Sequence, residues 1–369
     1  MTIADVNIHE NVDKPLSGWP LLIVAGIIGG VCGVLAVLLT RWVARYGGLD
    51  SPHKHGISGV RACRLGGILI ASYMLLSMVY HYIRIGELVV SGTSLWVFAL
   101  GGLFFSIGFY EDIKGTLSAR LRLLLMFGAV ASILALNSDL LIKPIGVPIF
   151  DWFLENPWLT APITLLSLVF LPNAFNAADG ANGLVAGTTF ITIVALDRAD
   201  LGDLNLLLDF AAVSCLIFLV YNVVTAKVYL GDGGAYLLGA LVGGGLITAS
   251  NAGVLPIWYL LSLIFYPIAE FLWSICRRIA SGQSPMAADE LHLHNLVYGR
   301  LRRLTGLQTG ANTMTGIGIA IVFAGLPYLA WLFASDRVAW LWVYVLQWLT
   351  YLGLWFSLRP KLGAKLVNG

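Results

Sequence analysis

Charge is what this sequence has least of: Asp, Glu, Lys and Arg make up 11% of its 369 residues, against about 25% in an ordinary soluble domain. Together with 58% hydrophobic residues and a mean hydropathy of +0.84, that scarcity excludes a soluble globule and leaves a polytopic membrane protein. A net charge of +2 and the absence of any basic run exclude a nucleic-acid surface. The four cysteines, Cys32, Cys63, Cys215 and Cys276, fall in no zinc or disulfide spacing and read as small hydrophobes. No internal repeat marks an inverted-repeat transporter. Residues 1–18 carry Asp5, Glu10 and Asp13 and no basic segment leading into a short apolar core, so the first apolar stretch is expected to be a retained span.

A helix crosses the hydrocarbon core with about 20 apolar residues. The hydropathy pattern predicts an all-α protein with about eleven such spans, at 19–41, 65–83, 94–110, 121–137, 159–175, 183–197, 206–224, 234–250, 254–275, 313–334 and 338–358. With eleven crossings, one side of the membrane receives only Lys14, Arg84, Lys143, Arg198 and Arg337, and the other receives every remaining Lys and Arg. Basic residues are retained in the cytoplasm, so this places the N-terminus outside and the C-terminus inside. The expected organisation is an outer tail at 1–18, one membrane catalytic domain at 19–358 with a cytoplasmic loop at 276–312, and an inner tail at 359–369.

Four polar clusters interrupt the apolar pattern: Tyr110-Glu111-Asp112, the stretch from Asn173 to Gly187, Gly231-Asp232-Gly233-Gly234, and the segment from Asp289 to His294. All four are expected on the cytoplasmic face. Carboxylates gathered without a cation repel one another and lose hydration, so a hard divalent ion would make the cluster tolerable. Glycines beside them permit close approach of backbone to a ligand. Asn173, Asn176, Asp179 and Asn182 recur every third residue, which a helix end would bring near one face. His292 and His294 do not share a helix face, so they need an extended or turn conformation to converge. Glu270, close to Pro267, is the one hint of a carboxylate buried within a span.

The stretches from Asn173 to Leu184 and from Leu230 to Gly239, and the pair His292 and His294, resemble the signature loops of the polyprenyl-phosphate N-acetylhexosamine-1-phosphate transferases. This family includes the phospho-MurNAc-pentapeptide translocase. The resemblance runs from about Leu49 to Arg303 with the motif order kept. It implies transfer of a sugar 1-phosphate from a UDP-sugar to undecaprenyl phosphate, with UMP released and Mg2+ required, or Mn2+ in its place. The setting implied is the bacterial inner membrane, at the start of cell-wall or lipopolysaccharide assembly, with homodimerisation left open.

By the same resemblance, Glu111 and Asp112 handle the lipid phosphate, Asp179 forms the acidic centre, and Asp232, with Asp179, holds the metal. Arg64, Asn173, Asn176 and Asn182 line the substrate, Asn222 and Tyr229 meet the nucleotide, and His292 and His294 contact the donor phosphates. The chain departs from the family pattern at Asn182, where an Asp is usual, at Asn295 after the histidine pair, and before Arg64, where prolines are missing. A transporter or channel would put its acids at mid-span, and here they cluster at span ends. A CDP-alcohol phosphotransferase would follow its Asp-Gly with Ala-Arg, which Asp179-Gly180-Ala181-Asn182 lacks.

Overall fold

The computed structural model describes residues 63–359 apart from 288, 334 and 335. The expected first span, the outer tail and the residues after Arg359 lie outside the described residues. Among those described, the architecture is helical, and the only ladder-like pairing is a parallel bridge between Cys63 and Val228.

Among the described residues, eight helices are long and apolar enough to cross a membrane. They are α1 (Gly66–Ile85), α2 (Gly92–Lys114), α3 (Ala119–Leu136), α5 (Pro157–Ala178), α7 (Asp203–Thr225), α8 (Gly231–Ala252), α12 (Gln308–Ala330) and α13 (Arg337–Leu358). Between them lie the short α4 (Pro148–Leu154), α6 (Leu184–Leu196), the pair α9 (Ile257–Leu263) and α10 (Phe265–Ala280), and α11 (Leu293–Thr305). Ten of the eleven expected spans fall within the described residues, and not all ten are reproduced. Helix α6 has 13 residues, about 20 Å at 1.5 Å per residue, which falls short of a hydrocarbon core of about 30 Å. Helices α9 and α10 meet at a 76° bend and make at most one broken span. Hydropathy alone sees apolar length but not where a helix stops, so it merges these cases with true crossings.

Helix α8 is the axis of the fold, enclosed on nearly every side and packed chiefly against α2 and α5. Its seven glycines would weaken a helix in water by about 1 kcal/mol each. In an apolar bundle the same small residues let neighbouring backbones come close, which is how membrane helices gain packing. The bend at Ile264 and a widened turn at Ile321–Gly325 of α12 both free backbone carbonyls. Buried Gln347 of α13 donates its amide to two carbonyls at these irregular turns, Ser262 at 3.0 Å and Phe323 at 2.9 Å. Irregular backbone is tolerated at membrane depth only where such partners exist.

Candidate active site

The segment at 63–67 pairs with the segment at 227–230 through Cys63 N–H to Lys227 O at 3.0 Å, Tyr229 N–H to Cys63 O at 2.8 Å, Gly66 N–H to Tyr229 O at 2.8 Å and Gly67 N–H to Leu230 O at 2.9 Å. That pairing carries Arg64 to the start of α8. Gly231 turns there with φ of +74°, and a Cβ at this position would stand 1.9 Å from the Arg64 carbonyl oxygen, so only glycine fits. Asp232 follows in the first turn of α8. Its carboxylate pairs with Arg122 of α3 and lies 3.8 Å from the Arg64 guanidinium.

Asp112, in the last turn of α2, accepts the Asp232 N–H at 3.0 Å and the Gly233 N–H at 2.8 Å. It thus satisfies two of the open donors at the α8 N-terminus, where negative charge is also favoured by the helix dipole. Asp179, just past the end of α5, accepts the Gly231 N–H. Three acidic residues from three helix ends therefore meet two guanidiniums. Burial pushes Asp179 up to about 7; the Arg64 charge opposes that rise, and the Asp232 and Asp112 charges add to it. Glu111 faces elsewhere, its carboxylate accepting the Leu117 N–H at 2.7 Å in the turn after α2.

The histidines form a second group. His292 is extended, with φ −60° and ψ 142°, and His294 lies in the first turn of α11. Their rings stack, 5.2 Å between centroids and 7° from parallel. Fully buried Glu270 of α10 meets His292 Nδ1 at 2.9 Å and the Leu293 N–H at 2.8 Å. Tyr266 lies 3.2 Å from Glu270 and 3.0 Å from His294 Nδ1. Arg277 spans Glu270 at 3.4 Å and Asp289 at 2.6 Å. Burial, with His292 beside it, pushes His294 down to about 3, so its ring is neutral near pH 7. The two groups touch at Gly180, where a Cβ would lie 2.0 Å from His294 Nε2.

The remaining expected residues divide. Asn176 faces α8, with Tyr236 OH at 3.4 Å, and Asn173 bonds back to Val169 O at 2.8 Å, near Met126. Asn182 leaves that face. Helix α5 ends at Ala178, and the Asn182 N–H turns to Asn312 of α12 at 2.7 Å, so the three-residue register does not extend to it. Asn222 is buried and holds Gly183 N–H at 2.8 Å and Val228 O at 2.8 Å, tying the Asp179 turn to the strand-like segment. Tyr229 is half-buried in that segment. Arg122, Glu270, Tyr266 and Asn312 were missed as site residues. In the sequence Arg122 is one more basic residue near a span end, and Glu270, a carboxylate within an apolar span, proves to be the anchor of the histidine segment.

Among the described residues no three Asp, Glu, His or Cys side chains are arranged to hold a metal on their own. Mg2+ takes one or two carboxylates and fills its octahedron with water and substrate phosphates. Asp179 and Asp232 offer two hard oxygen ligands in a centre with more carboxylates than guanidiniums, and they fit that chemistry.

Residues 94–250 match the family described as Glycosyl transferase family 4. A probable undecaprenyl-phosphate N-acetylglucosaminyl 1-phosphate transferase of Bacillus subtilis is 28% identical, over 74% of this chain and 76% of its own length. A decaprenyl-phosphate N-acetylglucosaminephosphotransferase of Mycolicibacterium smegmatis is 27% identical, over 76% of each chain. A phospho-N-acetylmuramoyl-pentapeptide-transferase of Acetivibrio thermocellus is 36% identical over 29% of this chain and 33% of its own. The matched segment runs through Asp112, Asp179 and Asp232, so the similarity to glycosyl transferase family 4 takes in the whole acidic centre.

Proposed function

We propose that this protein transfers a sugar 1-phosphate from a UDP-sugar to undecaprenyl phosphate, releasing UMP, with N-acetylglucosamine 1-phosphate the first group to test. The carrying observation is the meeting of Asp112, Asp179 and Asp232 with Arg64 and Arg122, beside the histidine pair, at one end of the helices. An oxygen of the acceptor phosphate bonds to the sugar-bearing phosphorus, and the bond from that phosphorus to the bridging oxygen breaks as UMP leaves. Both reactants are anions, so the protein's work is to neutralise and align them.

Mg2+ or Mn2+ held on Asp232 and Asp179 would supply the divalent charge for the pyrophosphate. Arg64 and Arg122, now paired with Asp232, are the cations placed to meet phosphate oxygens. Asp112 keeps Asp232 in place through the α8 N-terminus; to take a proton from the lipid phosphate it would give up one of those bonds. Glu111 fixes the turn after α2. Direct attack is preferred over an Asp179 intermediate, because the acceptor phosphate is already a nucleophile. This end of the bundle, which carries Arg64, Lys114, Arg120 and Arg122, is read as the cytoplasmic end in a bacterial plasma membrane, because basic residues are retained on that side.

The test is to incubate purified protein with undecaprenyl phosphate, Mg2+ and a panel of UDP-N-acetylhexosamines, following UMP and labelled lipid. UMP release that needs both substrates is expected. No release with any donor, together with dissipation of a solute gradient in liposomes, would replace this reading with a transporter.

A further inference from the structure

Glu270 decides where the protons sit on both imidazoles. A carboxylate only accepts hydrogen bonds. Bonding at 2.9 Å therefore requires His292 Nδ1 to carry a proton. Tyr266 has one proton, and it goes to Glu270 at 3.2 Å. Its oxygen then accepts the His294 backbone N–H at 3.1 Å and has no proton left for His294 Nδ1 at 3.0 Å, so that atom must be the donor. The neutral His294 ring is thus bare at Nε2, and this edge lies against Gly180, next to Asp179. The charged and titratable groups facing Glu270 are Tyr266 and Arg277 of α10, His292 and His294, and Tyr351 of α13, with Asp289 behind Arg277.

We propose that Glu270 is a positioning residue which locks His292 and His294 in the Nδ1–H form and sets the bare Nε2 of His294 against the Asp179–Gly180 turn as an acceptor for a hydroxyl or amide N–H of the sugar donor. The chain has six histidines, so each ring can be followed. Only the identity of what meets the His294 Nε2 rests on the UDP-sugar reading; the proton positions do not. With the rings set before binding, the donor loses no freedom in sorting them, so the cost of removing Glu270 falls on donor binding.

The experiment is nitrogen-15 spectroscopy of histidine-labelled full-length protein in bilayers, with His292→Asn and His294→Asn for assignment, combined with steady-state kinetics of Glu270→Gln. The wild type is expected to show protonated Nδ1 on both rings. Glu270→Gln, whose amide can donate, should switch at least one ring and raise the KM for the UDP-sugar about tenfold, the scale of lost outer-shell partners. The KM for undecaprenyl phosphate should stay put, and adding Glu270→Gln to His292→Ala should cost nothing further, as for residues acting in one chain of contacts. If Glu270→Gln does not fold, Glu270→Asp carries the test and should keep the Nδ1–H signals. Protonated Nε2 in the wild type, unchanged rings in the variant, or costs that multiply in the double variant would overturn the proposal. If the wild type releases no UMP from any UDP-sugar while the Nδ1–H signals are present, the donor reading fails and the positioning role stands.

Discussion

The acidic centre sets Asp112, Asp179 and Asp232 against Arg64 and Arg122, whereas in the neighbouring histidine clamp Glu270 and Asp289 share Arg277 and both Glu270 oxygens are filled from within the protein. The first region is joined by contacts between residues far apart in the chain, Asp112 with Asp232, Arg122 with Asp232 and Asp179 with Gly231, at helix ends, with carboxylate in excess. The second is drawn mainly from one local stretch, Tyr266 to His294, with Tyr351 of α13 against it. A centre left with unbalanced charge suits completion by a cation and an anionic substrate. A network whose bonds are already made suits holding other groups still. The contrast teaches that one end of this bundle separates chemistry from alignment, and it can be attacked from either side.

The largest effect should come from the unbalanced side. Asp232→Asn removes one negative charge and leaves Arg64 and Arg122 without their partner. Turnover is expected to fall about a thousandfold, at the upper end for loss of a single electrostatic contact to the reacting groups, and Mg2+ dependence should vanish with it. Retained Mg2+-dependent turnover, measured by UMP release, would take Asp232 out of the metal role and erase the difference between the two regions.

The seam between the regions should be next. A methyl at Gly180 would sit 2.0 Å from His294 Nε2, and the ring cannot swing aside without losing Tyr266. Gly180→Ala is therefore expected to cost about a hundredfold in kcat/KM, the scale of an ångström's misplacement near the chemistry, with only a small change in melting temperature. A large loss of stability with kcat/KM intact would show that the seam serves folding alone.

How much of this was legible in the sequence follows from the same contrast. Asp179, Asp232, His292 and His294 stood out because polar residues beside glycine are conspicuous in a chain with so little charge. Arg122 did not, since an arginine near a span end is ordinarily an orientation anchor. Glu270 was visible as a buried acid, but the two partners that tie it to the histidine segment come 22 and 23 residues later, across a turn that no periodicity reveals. Asn182 looked like part of a helical row because its true partner, Asn312, lies 130 positions away. The span count failed where helix ends mattered, at the short α6 and the bend between α9 and α10.

The smallest expected effect is one of stability, and it belongs to the clamp. His294 is held at about 3 in the folded protein, chiefly by burial, with His292 and Arg277 also opposing a proton and Glu270 and Asp289 favouring one. An unfolded histidine titrates near 6.5. Between those values the unfolded chain binds the extra proton, so stability is complete above about pH 6.5 and is lost as the pH falls toward 3. At pH 5 the loss relative to pH 8 should be roughly 2 kcal/mol. It should read as a lower melting temperature in the wild type and a flatter profile in His294→Asn, whose amide can still donate to Tyr266. Equal slopes in the two proteins would mean that Glu270 and Asp289 favour the protonated ring as strongly as burial opposes it. The clamp would then depend on charge balance as the acidic centre does.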